Sequence, residues 1–187
     1  MKKVLFLLLM CVMAVGAKAQ VLTVEEAAAM VTEKGVLEQK RVVVVDSVKK
    51  NTLYRRAMEA LSDWTGSEGR SKAGIDYSDK DEGAVNYKGV FYQGSKKVIT
   101  NSIDYYTDFT MKIRCKDGRA QITVIVPSGY AIMTDGSKRS WTMREAIAKT
   151  KGKKETKIEG VYNVREVLPL LLDAMESALK KTDDDDF

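Results

Sequence analysis

Apolar and polar residues alternate with a period of two through the middle of the chain. Between Ile103 and Cys115 the odd positions are apolar except for Thr107, whereas charged residues occupy several even positions. This alternation is typical of a long β-strand with one buried face and one solvent-exposed face. The run from Arg119 to Val126 alternates in the same way. The pattern therefore predicts two strands, each with one apolar face.

Short turns connect the predicted strands. The Lys116-Asp117-Gly118 segment forms a tight hairpin in this interpretation, since glycine tolerates the positive φ that such a turn requires. An earlier alternating strand, which contains Val85, Tyr87 and Phe91, follows an acidic turn over residues 79–83. Parallel neighbours need long crossover segments, so these short connections predict an antiparallel meander.

Apolar residues recur at helical spacing both before and after the predicted meander. The predicted elements are a helix over Val24–Glu33 with Thr23 as N-cap, a helix over Thr52–Trp64 with Asn51 as cap, a short helix over Thr142–Ala148, and a terminal helix that ends at Lys180. Because Pro169 lacks an amide hydrogen, we expect a kink there or a helix that starts near Leu168. The β-branched run Arg41–Val45 predicts a first strand that is buried on both faces or nearly so.

The first nineteen residues have the pattern of a secretory signal peptide. A basic start at Lys2 precedes an apolar run over residues 4–15, and the small residues Ala17 and Ala19 stand before Gln20. The apolar run is too short for a stable membrane anchor. We therefore expect cleavage before Gln20, a periplasmic or secreted protein, and no transmembrane segment in the mature chain.

Cys11 supports a second interpretation of the same segment. A bacterial lipoprotein is cleaved before a cysteine, which is then acylated and tethers the protein to a membrane. Met10 stands where such a site calls for a small residue, so the sequence favours simple secretion.

Charge and composition exclude several classes of protein. Cleavage before Gln20 removes three lysines and no acids, so the formal net charge falls from +5 to +2, and the sequence gives no reason to expect nucleic-acid binding. Only Cys115 then remains, which leaves no intramolecular disulfide. The chain has no histidine, which excludes Ser-His-Asp and Cys-His hydrolases and ordinary histidine-ligated zinc sites. We expect no cofactor.

The chain resembles a family of secreted bacterial proteins of unknown function that have a TBP-like fold, meaning a fold like that of the TATA-box-binding protein. The resemblance runs from Arg41 to Lys181 and is carried by four segments: Ala19-Gln20 at the end of the signal, Leu61-Ser62-Asp63-Trp64, Asp79-Lys80-Asp81-Glu82-Gly83 leading to Lys88-Gly89, and Ile113-Arg114-Cys115-Lys116-Asp117-Gly118-Arg119. It implies a curved antiparallel sheet with helices on one face and gives no activity to carry over.

Pattern and resemblance together predict an α+β fold in the order β-α-β-meander-α. The domain division is a signal peptide over residues 1–19, an N-terminal helical extension over 20–40, a single α+β TBP-like domain over 41–181, and an acidic disordered tail over 182–187.

Tyrosines in the strand region provide the candidate ligand-binding residues. Tyrosines on a sheet offer an apolar ring and a polar tip, which suits a stacking platform for sugars or a surface for a protein partner. Tyr92 and Tyr106 fall on the faces opposite the core, while Tyr87 and Tyr105 fall on the core side. The predicted ligand-binding residues are Tyr92, Tyr106, Tyr130 and Trp141.

Three other features have plain structural explanations. The acidic turn over 79–83 resembles the start of a calcium loop but lacks the later ligands, so we predict a hairpin turn and no metal site. Cys115 is expected to be a buried small hydrophobe rather than a reactive thiol. The lysine-rich stretch over 149–157 and the aspartates over 183–186 are expected to be mainly solvated.

The sequence favours a non-enzymatic binding or interaction module of the bacterial envelope that uses its open sheet face. Its partner would be an envelope protein, a glycan or a lipid. A small apolar-ligand or lipid carrier is an alternative, for which we expect a cavity lined by Phe91, Phe109, Met111 and the last helix. A histidine-independent hydrolase is a further one, with Asp104 and Asp108 as the carboxylates, although about 13 Å separates such positions along one strand.

Overall fold

A computed structural model of the chain describes residues 23–67, 74–98, 101–148 and 162–181. The predicted signal peptide, the lysine-rich stretch over 149–157 and the acidic tail lie outside the described residues. None of the helices within the described ranges has the length and apolar character needed to cross a membrane.

The described residues form four helices and one six-stranded antiparallel sheet. The helices are α1 (Val24–Ala29), α2 (Lys50–Ser67), α3 (Met143–Ala148) and α4 (Tyr162–Lys180). The strands are β1 (Leu37–Val44), β2 (Gly74–Asp79), β3 (Ala84–Val98), β4 (Asn101–Lys116), β5 (Arg119–Met133) and β6 (Lys138–Thr142). The strand order is β1-β5-β4-β3-β2, and β6 also pairs with β5. The predicted antiparallel meander and α+β fold are confirmed.

The hydrophobic core lies between the helices and one face of the sheet. Apolar residues of all four described helices join one buried cluster with the apolar faces of β4 and β5. Its largest fully buried side chains are Tyr87, Leu37, Leu53, Leu61, Met111, Ile113, Ile122, Met143, Leu168, Leu172, Met175 and Leu179. The opposite face, which we call the open face, carries polar and charged side chains such as Lys112 and Arg114. The apolar stripe predicted for the terminal helix lies against the sheet from Leu168 onward.

Strand β1 differs from its prediction in position and burial. It begins at Leu37, inside the segment predicted as an extension, and is buried on one side only. Val43 is buried, but Val42 and Val44 are 59% and 58% exposed. The reason is that β1 is an edge strand, whose one neighbour among the described strands is β5, and that helix α4 covers one of its faces, where Arg41 contacts Asp173 at 2.5 Å. The expectation of burial on both faces was wrong.

The helix ends are set partly by local caps. The capping box of Thr23 and Glu26 is present as predicted, but α1 ends at Ala29 because Val31 already bridges Leu37. Thr142 and Glu145 form a second reciprocal cap at the start of α3. Helix α4 begins at Tyr162, before Leu168, and contains Pro169.

Helix α2 is capped by a residue that is distant in sequence. Its first residue is Lys50, so Asn51 lies inside the first turn and is not the cap. The amide of Lys50 donates to Oδ1 of Asp117 at 2.7 Å. Asp117 belongs to the two-residue hairpin between β4 and β5, where Gly118 has a φ of +75°. That hairpin therefore supports a helix as well as the sheet.

Two irregularities change which residues face the helices. The β3–β4 register shifts between Tyr92 and Gly94, and the β4–β5 register shifts between Asp108 and Thr110. Each shift is a β-bulge, in which one strand has an extra residue. The bulges lie at Gln93 in β3 and at Pro127 in β5, and a bulge is a position where the missing amide hydrogen of proline is tolerated. Beyond these bulges, the inside–outside alternation of β3 and β5 is offset by one residue.

Cys115 is buried in the core as expected. Burial raises the pKa of its thiol to about 11, because the surroundings disfavour the charged thiolate. The thiol is therefore protonated and unreactive near neutral pH.

Candidate functional site

Three of the four predicted ligand-binding residues meet on the open face. Tyr92 of β3 pairs with Tyr106 of β4, which pairs with Tyr130 of β5. The Tyr92 and Tyr106 ring centroids are 5.4 Å apart at 44°, and those of Tyr106 and Tyr130 are 5.0 Å apart at 15°. We call these three residues the tyrosine ladder. Cross-strand neighbours on one sheet face lie this close, so the ladder follows from register alone.

The two ends of the tyrosine ladder differ. The ammonium of Lys138 lies 3.9 Å from the ring centroid of Tyr130, in a cation–π contact that covers this end. Tyr92, at the β3 end, is 40% exposed. Tyr106 is only 8% exposed because it lies between the two other rings, although it is on the face opposite the core as predicted. Tyr92 is the ring most accessible to a partner.

Hydroxyl and carboxylate groups surround the ladder. The hydroxyl of Tyr92 lies 2.6 Å from that of Ser95, which donates to Asp104. On the other side of Tyr106, the hydroxyl of Ser128 donates to Asp108 at 2.9 Å. Both aspartates share the face of Tyr106, because each lies two positions away from it on β4. The ladder thus combines an exposed aromatic ring with hydrogen-bond acceptors.

Trp141 does not join the ladder. In β6 it is Ser140 that pairs with Tyr130, so the adjacent Trp141 points to the helix side of the sheet. There its ring lies 6.4 Å from that of Tyr105 and packs over Gly129, where an added Cβ would come within 2.7 Å of the indole nitrogen. The half-buried Trp141 contributes to packing under the sheet rather than to the open face.

The open face also carries a cationic region that the sequence analysis did not single out. Three rows of paired residues run across this face from β1 through β5 to β4. They are Val44–Arg119–Lys116, Val42–Gln121–Arg114 and Lys40–Thr123–Lys112. We call Val42, Val44, Lys112, Lys116 and Arg119 the cationic corner. The even positions of β4 were the available signal, but the sequence does not show that β1 lies beside them.

Neighbouring acids neutralise only part of this region. Lys40 pairs with Glu38 at 2.8 Å, and Arg114 pairs with Glu82 at 3.2 Å. Within the described part of the chain, no carboxylate forms an ion pair with Lys112, Lys116 or Arg119. Lys116 and Arg119 stand directly opposite each other, an arrangement in which like charges repel.

The other candidate sites of the sequence analysis have little support. The acidic turn is a hairpin in which Oδ1 of Asp79 accepts the amide hydrogen of Glu82 at 2.8 Å. Over the described ranges, no group of three or more acidic or cysteine side chains could hold a metal ion. The region expected to form a carrier cavity is packed, since Phe109 and Met111 are buried in the core.

The described residues also form an open surface pocket in another place. It has a volume of about 400 Å³ and lies between α1 and α3. The residues that line it are Ala28, Val31, Thr32, Glu33, Arg144, Ile147 and Ala148. Arg144 donates to the backbone carbonyl of Glu33 at 2.6 Å and thereby ties the two segments together. The guanidinium of Arg144 is therefore already bonded to the backbone of the chain.

Comparison with known proteins supports the resemblance drawn from the sequence. Residues 40–126 match the model of a family described as a domain of unknown function (DUF4468) with TBP-like fold. A crystal structure of a DUF4468 family protein from Bacteroides ovatus matches 83% of this chain and 96% of its own, with 11% identity and a TM-score of 0.57. A crystal structure of a TBP-like protein from Parabacteroides distasonis matches 81% and 97%, with 14% identity and a TM-score of 0.51.

These identities establish the fold alone, since unrelated functions share folds. No protein with a curated description matches this chain. The resemblance to the TBP-like family of unknown function is confirmed, and a TBP-like fold gives no indication of nucleic-acid binding here.

Proposed function

We propose that this chain, with its TBP-like fold, is an exported, non-enzymatic binding module that holds an envelope partner on its open sheet face at the tyrosine ladder. The observation that supports this proposal is the ladder itself. Three tyrosines from three strands stack on the face opposite the helices, and the ring at the β3 end is 40% exposed. Tyrosine is among the residues that contribute most to binding surfaces.

The surroundings of Tyr92 suit a partner with both apolar and hydrogen-bonding groups. One ring face packs towards Tyr106, and 40% of the residue is exposed, so a partner contacts the exposed part of the ring. The hydroxyl of Tyr92 contacts Ser95, Ser95 donates to Asp104, and these two residues supply acceptors for donors on the partner. A sugar ring with its hydroxyls and a peptide with a flat side chain both meet this description.

The proposal of a non-enzymatic role rests on the chemistry around the ladder. Asp104 and Asp108 each accept a hydrogen bond from a serine, and the ring of Tyr106 stands between them on β4. The chain has no histidine to act as a base near neutral pH. Binding therefore accounts for these groups better than hydrolysis by a carboxylate pair does.

Export is tested by the mass of the mature protein. When the full chain is made in a bacterial host, we expect a product that begins at Gln20, because the pattern before it suits signal peptidase. Intact-mass spectrometry of the envelope fraction measures this directly. A diacylglyceryl group on Cys11 would show a membrane-tethered lipoprotein instead, and an uncleaved cytoplasmic product would refute export.

Binding at the ladder is tested by replacing its exposed ring. We expect Tyr92→Ala to weaken binding at least 10-fold, because truncation of an aromatic anchor removes most of its contact area. The probes are purified peptidoglycan, a neutral glucan and phosphatidylglycerol vesicles, measured by co-sedimentation. Tyr77→Ala is the matched control, since Tyr77 is a tyrosine of β2 that is 41% exposed on the same face but outside the ladder.

The result expected is binding of at least one probe that Tyr92→Ala weakens and Tyr77→Ala leaves within about 2-fold. Equal effects of the two substitutions would show that the ladder is not the site. No binding of any probe by the unmodified chain would contradict the proposal as stated.

A further inference from the structure

We propose that the cationic corner docks on the surface of an anionic lipid bilayer. This inference goes beyond the proposed function and shares with it only the open sheet face. It assigns a partner to Val42, Val44, Lys112, Lys116 and Arg119, none of which belongs to the tyrosine ladder. The partner is identified by its chemistry, namely a negatively charged surface with an apolar interior.

The register brings the charges of the corner together. Lys116 and Arg119 face each other across the β4–β5 hairpin, and Lys112 lies four residues before Lys116 on the same face of β4. In the described part of the chain these three side chains form no ion pair, as noted above. Repulsion between Lys116 and Arg119 costs stability in the isolated protein. An anionic surface relieves this repulsion and gains energy from each cation.

Exposed apolar side chains border the same charges. Within the described ranges five large hydrophobic side chains are exposed, and four of them, Val42, Val44, Tyr77 and Tyr92, lie on the open face. The two valines are the most exposed of the set and occupy alternate positions of edge strand β1. Val44 stands directly opposite Arg119. Apolar and cationic groups therefore share one small area.

This combination fits a bilayer better than a soluble anionic polymer. A polymer such as an acidic polysaccharide satisfies the cations but offers no apolar medium to the valines. At a bilayer surface, cations contact the head groups while adjacent apolar side chains enter the boundary with the acyl chains. The acids Asp76 and Asp79 lie on the β2 side of the face, and Glu82 is paired with Arg114, which is not one of the corner's cations. The net charge of +2 for the chain without its signal peptide thus understates the local positive charge.

The test is co-sedimentation with vesicles of two compositions. The chain that starts at Gln20, which includes every described residue, is mixed with phosphatidylcholine vesicles that contain either about one-third phosphatidylglycerol or none. We expect binding to the anionic vesicles only, with strong loss of binding as salt is raised, because salt screens exposed charges. Lys112→Gln/Lys116→Gln should lower the partition coefficient about 30-fold, given the usual contribution of each basic residue near an anionic membrane.

The matched control removes the same charge from the helix side. Arg55→Gln/Lys180→Gln replaces two exposed cations of α2 and α4, each of which pairs with a glutamate of its own helix. We expect this variant to bind within about 3-fold of the unmodified chain. Equal loss in both double variants would mean that net charge alone drives binding, and would overturn the assignment to the corner.

A second pair of measurements distinguishes a bilayer from a soluble polyanion. Val42→Thr/Val44→Thr keeps β-branched side chains on the strand, so circular dichroism should show an unchanged fold. We expect several-fold weaker vesicle binding and unchanged binding to dextran sulfate. Unchanged vesicle binding by this variant, or an absence of binding to anionic vesicles, would overturn the inference. Glucan or peptidoglycan binding that depends on Tyr92 would persist in that case and would leave the proposed function intact.

Discussion

Leu172→Ala should lower the free energy of unfolding by about 2–5 kcal/mol, the usual result of replacing a fully buried leucine with alanine. Leu172 is 0% exposed and lies in the core between α4 and the sheet. The substitution removes apolar contacts and leaves a cavity that the neighbouring side chains fill only in part. Chemical denaturation in urea or guanidinium chloride, followed by circular dichroism, measures the change.

Helix α4 supplies its own control for this substitution. Leu170 lies two positions earlier on the same helix and is 46% exposed. Leu170→Ala therefore removes the same atoms from a site that is already partly hydrated, and we expect a change within about 0.5 kcal/mol. Similar losses from the two substitutions would mean that α4 does not pack on the sheet in the orientation described.

Gly89→Ala should destabilise the domain by about 3 kcal/mol, because the core has no space for one additional methyl group. A Cβ at this position would come within 2.4 Å of Cζ of Phe109 and 2.9 Å of Cε1 of Tyr87. Both rings are buried in the core and cannot move away without displacing other side chains. The measurement is again the free energy of unfolding from a denaturant titration.

Gly74→Ala is the matched substitution in the sheet. Gly74 begins β2, and an added Cβ would meet no atom of the described residues within 4 Å. The free energy of unfolding should stay the same or rise by up to about 1 kcal/mol, since alanine restricts the unfolded chain more than glycine does. If both substitutions were equally harmful, loss of glycine flexibility rather than contact with Phe109 would be the cause.

Most of the sheet could be predicted from alternation, because a half-buried strand must repeat every two residues. The core side of β4 at Phe109, Met111, Ile113 and Cys115 is an example, and so is the hairpin at Gly118. The capping box of α1 was also predictable, since it depends on residues only three positions apart. These features are local, so a single sequence contains the information they need.

Features that depend on distant partners were not predictable. A valine-rich run such as that of β1 is compatible with both a central strand and an edge strand, so the sequence did not predict the exposure of Val42 and Val44. The cap supplied by Asp117 to Lys50 required knowledge of the tertiary structure. The bulges at Gln93 and Pro127 offset the alternation in β3 and β5 without a clear signal in composition.

The candidate site was predicted in part for the same reasons. Tyr92 and Tyr106 follow from strand parity, but the stacking of all three ladder rings depends on register across β3, β4 and β5. Trp141 was predicted as a ligand-binding residue because it is an aromatic residue near charged residues, but the pairing of Ser140 with Tyr130 turns Trp141 to the other face. The cationic corner required the order of strands, in which β1 lies next to β5.

The contact between Asp117 and the start of α2 has a consequence for how the chain folds. Helix α2 lacks this cap until the β4–β5 hairpin, 67 residues further along, has closed. The amide of Val45 also donates to the carbonyl of Gly118, which fixes the end of β1 to the same hairpin. The early and late parts of the chain therefore share contacts that neither part makes alone, and a fragment that ends before the hairpin lacks both of them. The contacts of Lys50 with Asp117 and of Val45 with Gly118 join parts of the chain that are distant in sequence. A division of the chain between α2 and β2 would therefore not give two autonomous units.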